Sequence, residues 1–111
     1  MNIYCSLRIN VNQHLVAVEN IVNMKSNIKI SDMWILNIEA SEQNSYPKIL
    51  NHFCDIIENY FEELVNLGLS KNDITIWLIF KIEKNEQMNI EFNAELMARL
   101  SKNAKAFCIS R

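Results

Sequence analysis

The run Asp73–Ile82, Asp-Ile-Thr-Ile-Trp-Leu-Ile-Phe-Lys-Ile, constrains the fold of this chain more than any other stretch. Side chains alternate faces along an extended backbone, so Ile74, Ile76, Leu78, Phe80 and Ile82 share one side. Thr75, Trp77 and Ile79 occupy the other, which turns polar only at Lys81 and Glu83. A strand apolar on both faces through its middle is expected to be covered on both, or nearly so. It reads as the central strand of a sheet, with the long helix before it and a hairpin after it packed against it. No catalytic or cofactor motif accompanies it.

The other elements follow from the same periodicities. Ile3 to Val11 alternates without a break, with Cys5, Leu7 and Ile9 inward and Tyr4, Ser6, Arg8 and Asn10 outward. Asn12 can cap a helix whose apolar stripe is Leu15, Val18, Ile21 and Val22, ending near Met24. Lys25 to Ser31 is a polar connection without a firm assignment. Met33 to Glu39 reads as a strand with Trp34, Leu36 and Ile38 on one face, followed by a loop from Ala40 to Ser45. Pro47 suits a first helical turn, and Gly68 suits a helix end, which predicts a helix from Pro47 to Leu67. Its inner face is Ile49, Leu50, Phe53, Ile57, Tyr60, Phe61, Leu64 and Leu67.

After a polar turn at Lys84–Gln87, Met88 to Phe92 reads as a short returning strand. Asn93 caps a helix through Leu100 with Leu96, Met97 and Leu100 inward, and Ala104 to Ser110 forms the last strand. The expected order is β-α-β-α-β-β-α-β in one α+β domain, residues 1–111. The sheet is antiparallel or mixed, the helices lie mainly on one face, and the arrangement is related to the ferredoxin-like split βαβ unit.

Composition excludes several function classes. A net charge of -2 gives no broad attraction to nucleic acid or to an anionic membrane. The N-terminus lacks the basic start and apolar run of a signal peptide, and no segment approaches the ~20 apolar residues of a membrane span. Three cysteines, an odd number with no Cys-x-x-Cys pair, fit a reducing cytoplasm. The expected location is therefore cytoplasmic. A single glycine leaves no backbone loop for nucleotide phosphates, and neither a zinc pattern nor a nucleophile–base pair is present. No cofactor, no metal and no enzymatic activity is expected.

Two candidate binding surfaces remain. His52, Asp55, Glu58 and Glu62, with Glu63 beside them, form an acidic strip on the long helix that could meet a basic partner. Any solvated helix face has the same look. Tyr4 and Arg8 lie on the outer face of the first strand, where an arginine can grip a carboxylate or phosphate, or simply remain a surface residue. Trp34 and Trp77 could floor a site there or pack in the core. Cys5, Cys54 and Cys108 read as structural thiols in packed surroundings. His14 reads as a capping or surface residue.

Ser6-Leu7-Arg8-Ile9, Trp34-Ile35-Leu36, Ile76-Trp77-Leu78-Ile79 and Met88-Asn89-Ile90-Glu91-Phe92, leading to Glu95-Leu96-Met97, occur in that order. With these motifs the chain resembles, over nearly its whole length, the small bacterial domain of unknown function 4279. It lacks the short Pro- and Gly-containing loop associated with the region after the first helix, where Lys25 to Ser31 stands. The resemblance implies an immunity protein of a polymorphic or contact-dependent toxin system, one that binds and neutralises a cognate toxin domain, a nuclease in many such systems. The family supplies no catalytic residues, and with this charge no direct contact with nucleic acid is expected. The alternative is a small-molecule-binding or regulatory module using the open sheet face.

Overall fold

A computed structural model describes residues 1–30, 32–87 and 89–111. In chain order the described residues form β1 (Asn2–Asn10), α1 (Leu15–Val22), β2 (Met33–Glu39), α2 (Tyr46–Asn66), β3 (Ile74–Lys81), α3 (Ala94–Asn103) and β4 (Ala106–Ser110). The four strands make one mixed sheet in the order β2-β1-β3-β4. β1 is antiparallel to both its neighbours, and β3 runs parallel to β4. Thus β2-α2-β3 is a split βαβ unit with β1 inserted between its parallel strands. The fold class is α+β, and β3 is an interior strand.

The register explains the core. Cys5, Leu7 and Ile9 of β1 face the same way as Trp34 of β2 and Ile74, Ile76, Leu78 and Phe80 of β3, and all are buried. The helices cover that face with Val18 and Val22 from α1, Ile49, Leu50, Phe53 and Ile57 from α2, and Leu96 and Leu100 from α3. Trp34 is fully buried, and its indole Nε1–H donates to the Met24 carbonyl at 3.1 Å. A buried tryptophan without that bond would leave a costly unpaired donor.

The connection after α1 closes one edge of the sheet. The Asn27 N–H donates to the Ile35 carbonyl at 2.9 Å, and its side-chain amide exchanges two bonds of 2.8 Å with the backbone of Asn37. The Ser26 hydroxyl accepts from the Ile35 N–H at 2.9 Å. Together these groups stand in for a neighbouring strand and satisfy the outward backbone groups of Ile35 and Asn37. Ser31, the last residue of the expected connection, lies outside the described residues.

Several expectations are corrected. β3 is not covered on both faces: Thr75, Trp77 and Ile79 are half-buried on a sheet face that carries none of the core cluster. Asn12 does not cap α1; it has a left-handed φ of 51°, and α1 begins after His14. Residues 89–92 form no strand, and Met88 lies outside the described residues. A hairpin return needs a free edge beside β3, and both its edges are taken, by β1 and β4. Phe92 instead packs edge-on between Tyr46 and Phe107, at centroid distances of 5.9 and 5.3 Å. Without that strand the chain lacks the strand series of a full ferredoxin-like unit. On the helices, Phe61 and Met97 were expected inward, yet each is 43% exposed. Asn93 does cap α3, its Oδ1 accepting from the Leu96 N–H at 2.7 Å. No helix among the described residues is long and apolar enough to cross a membrane.

Candidate functional site

The uncovered sheet face is laid out by the strand register. Arg8 stands beside Ile35 on one flank and Thr75 on the other; Ser6 stands beside Asn37 and Trp77, and Tyr4 beside Glu39 and Ile79. Cys108 of β4 follows Trp77 in the same row. One even-numbered row of β1 thus places both predicted residues, Tyr4 and Arg8, on this face, because period-2 alternation leaves no other arrangement.

At its centre Arg8 lies over Trp77, with the guanidinium carbon 4.8 Å from the ring centroid. A cation at that distance is held by the ring quadrupole, by about 0.5–1 kcal/mol at an exposed site. Arg8 Nε donates to Ser6 Oγ at 3.1 Å, and Ser6 is fully buried beneath it although it belongs to the open face. The Trp77 indole N–H donates to Thr75 Oγ1 at 3.2 Å. These bonds fix the indole and guanidinium planes relative to each other. Among the described residues neither terminal nitrogen of Arg8 has a hydrogen-bond partner or a carboxylate beside it. The Tyr4 hydroxyl accepts from the Asn2 amide at 3.5 Å, and the same amide reaches Glu39 at 3.2 Å. Trp34 belongs to the core on the other side of the sheet, so only Trp77 contributes to this face.

The acidic strip of α2 is partly spoken for. Arg99 of α3 donates from Nε and Nη2 to the two oxygens of Glu58, each at 3.0 Å, and pairs through Nη2 with Asp55. Its Nη1 donates to the Asn51 carbonyl at 3.1 Å and side-chain oxygen at 2.9 Å. Asn103 adds a 2.7 Å bond to Glu58. The hydrogen bonds from Arg99 and then Asn103 hold the Glu58 carboxyl below the usual carboxylate range, and those to Glu58 and Asp55 raise Arg99 above its own. Asp55 and Glu58 therefore act first as a clamp between α2 and α3, and a reversal of Glu58 to lysine would set two cations against each other. His52, Glu62 and Glu63 are exposed. No local sequence pattern singles out Arg99, because its partners lie 41 and 44 positions away in the chain.

The cysteines are free. Burial pushes the Cys5 thiol up to about 12 and Cys54 to about 11, the latter despite Arg99 nearby. A thiol so raised is almost wholly protonated at neutral pH and a poor nucleophile. Cys108 is half-buried on the open face, not packed in the core. Native protein is therefore expected to take up a thiol reagent first at Cys108, with Cys5 and Cys54 modified only on unfolding. Mass spectrometry of partly labelled protein checks this, and equal rates at all three sites would contradict it.

A recess of about 540 Å³ lies away from the sheet face, between α1 and the connection to β2, where Leu15, Ile28 and Met33 are flanked by Lys25 and Lys29. Among the described residues no group of three His, Cys, Asp or Glu side chains is placed to hold a metal ion. No protein-family model, curated protein or solved structure matches the chain, so the resemblance to domain 4279 rests on its short motifs alone.

Proposed function

We propose that this chain is a non-catalytic binding module that holds a protein partner on the open sheet face around Tyr4, Arg8 and Trp77. The observation that carries the reading is the Arg8–Trp77 stack at the centre of an uncovered sheet, with the outer nitrogens of the arginine free among the described residues. Tryptophan, tyrosine and arginine are the residue types that dominate protein-interface energetics. A sheet face is broad where small-molecule sites are concave, which favours a macromolecular occupant over the regulatory-ligand alternative. Arg8 calls for a carboxylate on that partner. The partner's identity as a cognate toxin domain, neutralised in the cytoplasm, follows from the resemblance. A second reading keeps His52, Glu62 and Glu63, whose exposure suits a basic nuclease surface.

The test measures binding to the toxin domain encoded beside this chain, with survival of cells expressing both. Arg8→Glu combined with Trp77→Ala is expected to weaken the complex by about a hundredfold or more, the scale of lost interface hot spots. Protection should fail with it while the circular dichroism spectrum is unchanged. Glu62→Lys combined with Glu63→Lys should leave protection intact. The opposite pattern assigns the contact to α2, and absence of any complex ends the inhibitor reading.

A further inference from the structure

The two edges of the sheet differ. The β2 edge is closed by Ser26 and Asn27, whereas β4 has no strand beyond it. Bonds from the Asn27 N–H to Ile35 and from Asn37 to Asn27 show that the odd-numbered backbone groups of β2 point to its free edge. A residue's N–H and C=O leave a strand on the same side, and the side alternates. Carried across the register, this rule turns the even-numbered groups of β3 toward β4 and the odd-numbered groups of β4 outward. The outward groups are those of Phe107 and Ile109, and among the described residues nothing bonds to them.

The surroundings of this edge are apolar with a basic fringe. Ile109 is 49% exposed beside it, and Met97 of α3 is 43% exposed. Met97, Leu100 and Phe107 line a recess of about 190 Å³ whose other walls include Lys71 and Lys105. That is the scale of one side chain, below the usual size of a small-molecule site. Among the described residues neither lysine has a carboxylate partner. A second copy pairing antiparallel about Cys108 would set Lys105 opposite Arg111 of its mate at both ends, and like charges directly opposed disfavour that arrangement.

We infer that β4 is a strand-acceptor edge for an extended segment of another protein, one with alternating apolar residues and an acidic residue at its end. The added strand bonds to Phe107 and Ile109, places an apolar side chain in the Met97–Phe107 recess and sets a carboxylate against Lys71 and Lys105. This is β-augmentation, in which the backbone supplies affinity and alternate side chains supply selection. The contact is separate from the Arg8–Trp77 face and stands or falls independently of it.

The probe is a synthetic peptide of alternating valine and threonine with a glutamate at each end, compared with the same peptide ending in lysines. The readout is amide shifts and hydrogen exchange in isotope-labelled protein. The glutamate peptide is expected to shift and protect the Phe107 and Ile109 amides. It should bind about tenfold more tightly than the lysine peptide, the equivalent of one or two exposed ion pairs. Ile109→Pro removes an outward N–H while sparing the bonds to β3, as proline is tolerated on the open side of an edge strand. It should abolish binding with the rest of the spectrum retained. Lys71→Glu with Lys105→Glu should invert the preference between peptides. The inference is overturned by undisturbed amides at residues 105–110 up to about 1 mM peptide, or by undiminished binding to folded Ile109→Pro. It is also overturned if Phe107 and Ile109 become protected without peptide as protein concentration rises, since a second copy would then hold the edge.

Discussion

Truncation of Leu78 to alanine is expected to lower the stability of the protein by about 2–5 kcal/mol, the usual loss on emptying a packed core position. Leu78 is fully buried in the interior strand β3, between Cys5 of β1 and Ile109 of β4 in the register. It shares its face with Ile76 and Phe80, under a layer that includes Phe53 and Ile57 of α2. Strands on both sides and a long helix above leave the site little freedom to collapse, so the cavity term adds to the lost transfer energy. Ile79→Ala, one residue along on the open face, should cost about 1 kcal/mol or less, because its side chain is already half in water. Urea denaturation of the two variants measures the contrast. Equal losses would mean that both faces of β3 are covered, and a loss under about 1 kcal/mol at Leu78 would remove β3 from the centre of the core.

Replacement of Arg99 by alanine is expected to have the next largest effect on stability, about 1–2 kcal/mol. Charge-assisted hydrogen bonds each contribute about 1.5–3 kcal/mol where sheltered. Here the Glu58 side chain is 39% exposed, so solvent screening reduces the figure. Truncation also leaves Asp55 and Glu58 as adjacent like charges one helical turn apart and strips Asn51 of its donor. Arg99→Lys should recover only part of the loss, since an ammonium cannot span Glu58, Asp55 and Asn51 as the guanidinium fork does.

The same cluster sets a pH dependence. The Glu58 carboxyl is held low in the folded protein by Arg99 and Asn103. Its contribution is fully present above the unfolded carboxylate value of about 4.3 and is lost as pH falls through the lower folded value. The stability gap between the parent and Arg99→Ala should therefore narrow as pH falls below about 4. A gap that stays constant down to acid unfolding would mean that the pair contributes through packing of the arginine stem alone.

Much of the fold was legible residue by residue. Met33–Glu39 is legible to the residue, and α2 and β3 to within a residue or two, because their periodicities are long and uninterrupted. The failures have particular causes. Ile90 and Phe92 alternate as a strand would, yet alternation does not reveal that both edges of β3 are taken. Phe61 sits on the apolar stripe of α2 and is nevertheless exposed. A helical stripe specifies a direction and not how far the neighbouring elements extend beneath it. Of the candidate surfaces, Tyr4 and Arg8 were found on one outward face, as their spacing required. The acidic strip is continuous in sequence, whether as a partner surface or a solvated face, and Arg99 divides it.

The sequence by itself determined the three α-helices and the four strands that form, the side of each that is mainly apolar, and that Tyr4 and Arg8 share a face, but not that residues 89–92 stay out of the sheet. These are consequences of side-chain direction within one element, which local order dictates. Only the tertiary structure decided the order β2-β1-β3-β4, the half-buried position of Trp77 against the full burial of Trp34, the pairing of Arg99 with Glu58, and the closing of one sheet edge but not the other. Each of these depends on which distant segment arrives alongside. That choice is made by the packing of the whole core, where many arrangements satisfy the same local pattern and one buries the apolar faces together.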